Sequence, residues 1–168
     1  MKSLGSFLTV MIFSLLLASC KGGYSFTGGN VGDAKSLQVG FFDNNAQIVN
    51  PEMSQLVTES IKDIFVQQSS LELSDGPSDM SVSGSIQEYS LKPQAARGAS
   101  EVSQMRFSIS LQVDFENILE PKNNFNQRFS RSRDYDADLN FSDIENELAE
   151  EIIKELTEDI LNRAIANW

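Results

Sequence analysis

Residues 105–116 read MRFSISLQVDFE, and in this stretch large apolar side chains alternate strictly with polar ones. Successive side chains of a β-strand point to opposite faces of the sheet, so the alternation predicts a strand with one dry face and one wet face. Such a strand belongs to an antiparallel sheet that is covered on one side only. The segments before and after it must therefore supply partner strands and a covering layer.

The neighbouring segments predict two more strands of the same kind. Residues 79–91 also alternate, with a change of phase near Glu88 that indicates a β-bulge. Residues 93–99 read PQAARGA and predict the hairpin loop to the central strand, while a turn around Pro121 leads into a strand over residues 125–138. Three consecutive strands with short connections predict an antiparallel meander.

Two segments place apolar residues at helical spacing. Asn50 is a typical N-cap and Pro51 suits the first helical position, so a helix is predicted over residues 51–67. A longer helix is predicted from residue 143 towards the C-terminus, with isoleucine or leucine at every fourth position. A first strand over residues 35–42 precedes the first helix, so it must join the sheet through a crossover, parallel to one neighbour.

The predicted order of elements is β-α-β-β-β-α. Each helix has one apolar face, and both of these faces must be buried against the apolar side of the sheet. We therefore predict a single α+β domain over residues 35–168. Its architecture is a two-layer sandwich, with a four-stranded, mostly antiparallel sheet and two helices on one face.

Residues 1–19 have the features of a secretory leader, because Lys2 is followed by an almost uncharged apolar run that is too short to cross a bilayer. Residues 17–20 read LASC and resemble the bacterial lipobox, in which the cysteine thiol is acylated and the leader is cleaved just before it. We therefore predict a signal peptide over residues 1–19, a covalent lipid on Cys20 and a flexible tether over residues 20–34. The alternative is an ordinary signal peptide that leaves Cys20 as a free thiol.

The residues around Cys20 limit its other chemical roles and indicate the membrane to which the protein is sorted. It is the only cysteine, which excludes an intramolecular disulfide and a cysteine metal cluster. Lys21 stands where an aspartate is associated with retention in the inner membrane, and no acidic run follows it. We therefore expect a lipid-anchored protein of the outer membrane that faces the periplasm.

The charge balance excludes whole classes of function. The chain carries 24 Asp and Glu against 13 Lys and Arg, a formal net charge of -11, which excludes a general nucleic-acid binder. It has no histidine, so histidine acid–base chemistry and histidine metal ligation are excluded. We predict no enzyme, no metal site and no cofactor besides the lipid on Cys20. The enzymatic alternative is a carboxylate-dependent hydrolase built on Asp134 and Asp136, a pair that surface solvation explains more simply.

Four stretches carry a resemblance to a known family. They are the lipobox at residues 17–20, GYSFTGG at residues 23–29, FFDNNAQIVNPEMSQLVTESIKDIF at residues 41–65 and SGSIQEYSLKPQAA at residues 83–96. Together with the order of elements, they resemble a diverged branch of the lipopolysaccharide-assembly lipoprotein family, LptE. The resemblance implies a lipoprotein that plugs an LptD-type outer-membrane β-barrel, assists assembly of that barrel and helps deliver lipopolysaccharide to the cell surface. The alternative is an accessory structural or interaction lipoprotein of another cell-envelope complex.

Lipopolysaccharide carries phosphates, so its contacts are expected among clustered arginines and lysines. Two groups of basic residues stand out: Lys92 and Arg97 beside the predicted hairpin loop, and Arg128, Arg131 and Arg133 on the last predicted strand. These five residues are the candidate contacts with lipopolysaccharide or with a partner protein. The alternative is that the arginines pair with acids on their own strand or on the last helix.

Overall fold

The computed structural model describes residues 31–48, 50–95 and 102–165. These ranges hold six strands and two α-helices, with one short 3-10 turn at Pro121–Asn123. In chain order the elements are β1 (Ser36–Val39), β2 (Asp43–Asn44), α1 (Pro51–Gln68), β3 (Glu72–Leu73), β4 (Met80–Ala95), β5 (Val102–Asn117), β6 (Phe125–Asp136) and α2 (Phe141–Ile165). The predicted signal peptide, Cys20 and Arg97 lie outside the described residues.

β4 and β5 form the central antiparallel hairpin, with Met80 opposite Asn117 at its base. β6 pairs antiparallel with the other edge of β5 along its whole length. The register of the hairpin shifts between Ile86 and Glu88, which confirms the predicted β-bulge. Because of the bulge, Tyr89 is buried on the same dry face as Ile86, although an odd and an even position of a regular strand would face apart.

β1 joins the sheet parallel to β4, with Leu37 opposite Met80, which confirms the predicted crossover. β3 adds a second parallel pairing on the outer edge of β1. β2 follows β1 along the same edge of β4, with Asp43 opposite Ser85. The strand order is therefore β3-β1-β4-β5-β6, with β2 also paired to β4.

The α+β class is confirmed, but the prediction of four strands was wrong because β2 and β3 are additional. Each has two residues, which is too short to show an alternating pattern. The prediction that the hairpin loop begins at Pro93 was also wrong, since Pro93 pairs with Met105 and β4 continues to Ala95. Beyond Ile86 no described strand pairs with the outer edge of β4, and a proline is tolerated on such an edge.

Both helices pack on one face of the sheet and against each other, α1 beside β1, β2 and β3 and α2 beside β5 and β6. Their apolar faces and the dry face of the sheet form one core. Its largest fully buried side chains are Phe42, Phe65, Phe107, Phe115, Leu37, Ile61, Ile86, Ile109, Leu111, Ile152, Ile153 and Leu156. Within the described ranges, no helix combines the length and the apolar character that a membrane crossing requires.

A part-buried junction ties both helices to β4. Asn50 caps α1 by accepting a hydrogen bond from the Glu52 N–H at 3.1 Å, as the sequence predicts, and its side-chain amide donates to Glu145 Oε1 at 3.2 Å. The Tyr89 hydroxyl donates to the same oxygen of Glu145. Burial and this neighbouring carboxylate raise the pKa of Tyr89. One carboxylate therefore holds the beginning of each helix against the sheet.

The close approach of β4, β5 and Phe42 predicts that position 84 accepts only glycine. A Cβ on Gly84 would lie 2.1 Å from the carbonyl oxygen of Gln112 and 2.7 Å from Cε1 of Phe42. Gly84→Ala is expected to lower the free energy of unfolding by about 3 kcal/mol, because neither the strand backbone nor the buried ring can yield without strain. Urea unfolding followed by circular dichroism measures this change.

Gly76→Ala is the matched control, since a Cβ at Gly76 meets no atom within 4 Å. This variant is expected to unfold at the same urea concentration as the original protein. Equal midpoints for the two variants would contradict the close packing around Gly84.

Candidate functional site

The face of the sheet that the helices leave uncovered is polar, and we call it the open face. It is the side of β4, β5 and β6 that carries Arg106, Ser108, Ser110, Gln112 and Asp114 of β5, together with their cross-strand neighbours. The intervening residues of β5 are buried in the core on the other side. The predicted polar face is therefore confirmed, although Ser108 and Ser110 in its middle are buried.

One group of polar residues on the open face centres on a carboxylate, and we call it the Arg128 cluster: Glu88, Ser90, Lys92, Ser110 and Arg128. Glu88 Oε1 accepts hydrogen bonds from Lys92 Nζ at 2.7 Å and from Ser90 Oγ at 2.8 Å. Glu88 Oε2 accepts one from Arg128 Nη2 at 3.1 Å, and the same nitrogen donates to Ser110 Oγ at 2.6 Å. The structure thus brings Lys92 and Arg128, two of the predicted candidates, to one carboxylate.

The Arg128 cluster combines two cations with one anion. The hydrogen bond from Lys92, then that from Ser90, and the charges of Lys92 and Arg128 hold the pKa of the Glu88 carboxyl below its usual range. Glu88 is therefore ionised at neutral pH and offsets one of the two positive charges. The side chains of Lys92 and Arg128 remain 61% and 52% exposed, so the remaining positive charge is accessible to an anionic ligand.

Arg131 and Arg133 lie on the opposite face of β6 and point to α2. Arg131 makes two hydrogen bonds to Asp159, at 2.7 and 2.8 Å. Arg133 donates to Glu151 at 3.0 Å and binds Glu155 through two guanidinium nitrogens. For these two arginines, the alternative of pairing with acids on the last helix is confirmed.

These ion pairs fasten α2 to the edge strand of the sheet. Phe129 and Tyr135 of β6 are buried beneath α2, whereas the arginines between them reach its acidic side. The hydrogen bond from Arg133 is the main cause that holds the pKa of Glu155 below its usual range, and Glu155, followed by Glu151, raises the pKa of Arg133. An edge strand can carry arginines on its core side because they extend past the helix to the solvent.

The structure separates residues that the sequence groups together. Arg128 is on the open face with Lys92, while Arg131 and Arg133 are on the helix side. Parity along β6 separates them, since an even and an odd position of a regular strand face apart. The sequence signal that links Lys92 to Arg128 is the change of phase at Glu88. Without the bulge Lys92 would face the helices, and with the bulge it lies on the open face together with Arg128.

Asp134, which the hydrolase alternative requires, is held in a salt bridge. Nε and Nη2 of Arg106 donate to its two oxygens at 2.6 and 2.7 Å. This pairing holds the pKa of Asp134 below its usual range, whereas a general acid of a glycosidase needs a raised pKa. In addition, the described ranges contain no group of three His, Cys, Asp or Glu residues that could hold a metal ion.

Two open grooves of about 370 and 410 Å³ run between α1 and α2 on the side away from the sheet. Acidic residues line both grooves, among them Glu52, Glu59, Glu150 and Glu158. Such a lining repels phosphate groups. The helix layer is therefore a poor site for an anionic ligand, whereas the Arg128 cluster on the other face of the sheet carries exposed cations.

Comparison with models of protein families shows to which family this chain belongs. A family model for lipopolysaccharide assembly, LptE, matches residues 34–164. The chain belongs to the LptE family. The match covers nearly all of the folded domain and confirms the resemblance found in the sequence. A search of curated proteins finds no match to this LptE protein.

Solved structures share the fold at low sequence identity. A minor lipoprotein from Acinetobacter baumannii is 15% identical, with a TM-score of 0.54 over 79% of this chain and 94% of that one. Lipoprotein B from Nitrosomonas europaea is 8% identical, with a TM-score of 0.57 over 79% and 83% of the two chains. A hypothetical protein from Chlamydia trachomatis is 12% identical, with a TM-score of 0.52 over 79% and 99%. These similarities concern the fold, while the family match makes this an assembly protein for lipopolysaccharide.

The ion pairs between β6 and α2 predict that this LptE protein loses stability in acid. The pKa of Glu155 is lowered from 4.5 in the folded protein, so its contribution is complete above that value and is lost as the pH falls through the lower folded pKa. Arg133→Gln is therefore expected to destabilise the protein more at pH 7 than at pH 3. Urea unfolding at a series of pH values measures the difference.

Lys122→Gln is the control for this pH profile. Lys122 is 77% exposed, and its nitrogen lies 3.9 Å from Glu120, so the pair contributes little. This variant is expected to keep the original dependence of stability on pH. An Arg133→Gln profile that runs parallel to the original one would contradict the role of this ion pair.

Proposed function

We propose that this LptE protein is a periplasm-facing outer-membrane lipoprotein, anchored by acyl chains on Cys20, that plugs the lumen of an LptD-type β-barrel. In that complex it assists assembly of the barrel and helps deliver lipopolysaccharide to the cell surface. The observation that carries this proposal is the family match over residues 34–164, which is almost the whole described domain. The leader and the lipobox at residues 17–20 support the anchor.

The surface of the domain is compatible with a place inside a barrel. The lumen of a large outer-membrane barrel is polar, so a plug must present a mostly hydrophilic surface. The open face supplies exposed ion pairs, and the helix layer supplies acids along its grooves. Most large apolar side chains of the sheet and helices are enclosed between the two layers, and Val66 of α1 and Leu73 of β3 are exposed.

We assign the contacts with lipopolysaccharide phosphates to Lys92 and Arg128. Both side chains are more than half exposed, and Glu88 fixes their positions by accepting a hydrogen bond from each. Guanidinium and ammonium groups in such an arrangement suit the oxygens of a phosphate. Arg97 lies five positions after Lys92 in the sequence and is proposed as a further contact. Arg131 and Arg133 instead hold α2 against the sheet.

The first test is affinity purification of the tagged, full-length chain from detergent-extracted membranes. We expect a large outer-membrane barrel protein in roughly equal amounts, identified by mass spectrometry, and an intact mass that shows acyl chains on Cys20. Recovery of the protein alone, or with an unrelated envelope complex, would overturn the plug assignment. The second of these results would favour the accessory role in another complex.

The double variant Lys92→Gln with Arg128→Gln tests the phosphate contacts. A hydrogen bond to a charged group contributes on the order of 1.5–3 kcal/mol, so the loss of one is expected to weaken binding of lipopolysaccharide at least about tenfold, and the loss of both weakens it further. The amount of lipopolysaccharide that copurifies with each molecule of the protein measures this loss. Urea unfolding verifies that the variant is folded.

The double variant Arg131→Gln with Arg133→Gln is the matched control, because it removes the same charge from the opposite face of β6. We expect it to lose stability in urea, since the ion pairs with α2 disappear, and to retain lipopolysaccharide. If both double variants lost lipopolysaccharide equally, net charge rather than the Arg128 cluster would govern the binding.

A further inference from the structure

An apolar pair is exposed at one end of the sheet. Ile118 and Leu119 follow β5 directly, and they are 64% and 48% exposed. Two adjacent large aliphatic side chains on a loop gain nothing from contact with water. They are therefore a candidate for contact with an apolar partner, and their place in the fold indicates which one.

The loop holds this pair in a fixed conformation. Asn117 is buried, and its Oδ1 accepts hydrogen bonds from the N–H groups of Leu119 and Glu120, both at 3.0 Å. The Asn117 N–H donates to Asn124 Oδ1 at 2.7 Å, which closes the base of the loop. The exposure of the pair is therefore built into the loop, and contact with a partner requires little ordering of the backbone.

The same end of the sheet receives the chain that comes from Cys20. Asp79 Oδ2 accepts hydrogen bonds from the N–H groups of Lys35 at 2.9 Å and Ser36 at 3.1 Å. The carbonyl oxygen of Asp79 accepts one from the Ile118 N–H at 3.0 Å. A single residue thus links the beginning of β1 to the loop that carries the apolar pair.

The distance to the anchor is limited by the length of the chain. Val31 is buried at this end of the fold, one turn before β1, and a Cβ on Gly32 would lie 3.4 Å from Glu120 Oε1 of the same loop. From Cys20 to Val31 a fully extended chain spans at most about 40 Å. An acylated Cys20 therefore keeps Val31 within about 40 Å of the bilayer, which raises the effective concentration of lipid at this end of the fold.

We propose that Ile118 and Leu119 insert into the interfacial region of the membrane leaflet that holds the acyl chains of Cys20. This inference rests on the acylation in the proposed function, but it requires no barrel. The pair is a second, weak membrane signal beside the covalent lipid, and it orients this end of the sheet towards the bilayer.

The charges near the loop determine which lipids suit it. Glu116 and Glu120 flank the pair, and Lys122 offsets only one of these two acids. Attraction to anionic headgroups is therefore not the driving force, and burial of the apolar side chains is. The contact should form on vesicles of phosphatidylcholine and should not weaken as the salt concentration rises.

The test uses the acylated, full-length chain with Ile118→Cys, reconstituted on phosphatidylcholine vesicles. The sulfur of Cys20 is consumed by the lipid, so the new cysteine is the only free thiol and accepts an environment-sensitive fluorophore. We expect a blue-shifted emission that spin-labelled lipids quench several-fold, in low and high salt alike. Urea unfolding checks that the variant keeps the original stability.

Leu139→Cys is the matched control, because Leu139 is likewise an exposed aliphatic residue, at 51%, and lies after β6 at the opposite end of the sheet. A fluorophore at position 139 is expected to show the emission of a water-exposed dye and to remain unquenched by spin-labelled lipids. If the fluorophore at position 118 of an acylated chain showed the emission of a water-exposed dye, the inference would be overturned. Equal quenching at positions 118 and 139 would also overturn it. So would a blue-shifted emission that spin-labelled lipids do not quench, because that result indicates contact between proteins. A wild-type chain without acyl groups, measured by intact mass, would instead overturn the anchor in the proposed function and this inference with it.

Discussion

The two faces of this protein depend on the β-bulge between Ile86 and Glu88. A regular strand would place Tyr89 on the open face and would direct Glu88 and Lys92 into the core. The removal of two charged groups from water costs several kcal/mol for each ion, which the packing of this domain could not offset. One additional residue in β4 therefore allows Tyr89 to join the core and Glu88 to organise the Arg128 cluster.

Charge is distributed by layer, and this explains how an acidic protein can present two exposed cations side by side. Most carboxylates of α2 either line the grooves between the helices or neutralise Arg131 and Arg133. The open face has fewer acids, and its Arg128 cluster holds two cations against one anion. Over a few ångströms these local charges outweigh the net charge of the chain, because salt screens more distant ones.

The sequence predicted those features that depend on residues within one element. The α+β class, the two amphipathic helices, the cap at Asn50 and the bulge near Glu88 follow from local periodicity and local hydrogen bonding, and all of them are present. The number of strands was wrong because β2 and β3 exist only through pairing with longer neighbours. A two-residue strand has no pattern of its own.

The sequence by itself determined the class of fold, the family resemblance and the acidic balance, because these are properties of composition and of local spacing. Only the tertiary structure decided which charges meet. Lys92 and Arg128 share one carboxylate across an intervening strand, while Arg133 pairs with α2. The registers of two strand pairs and the place of the bulge combine to bring these groups together, and such non-local relations have no signature in a single stretch of sequence.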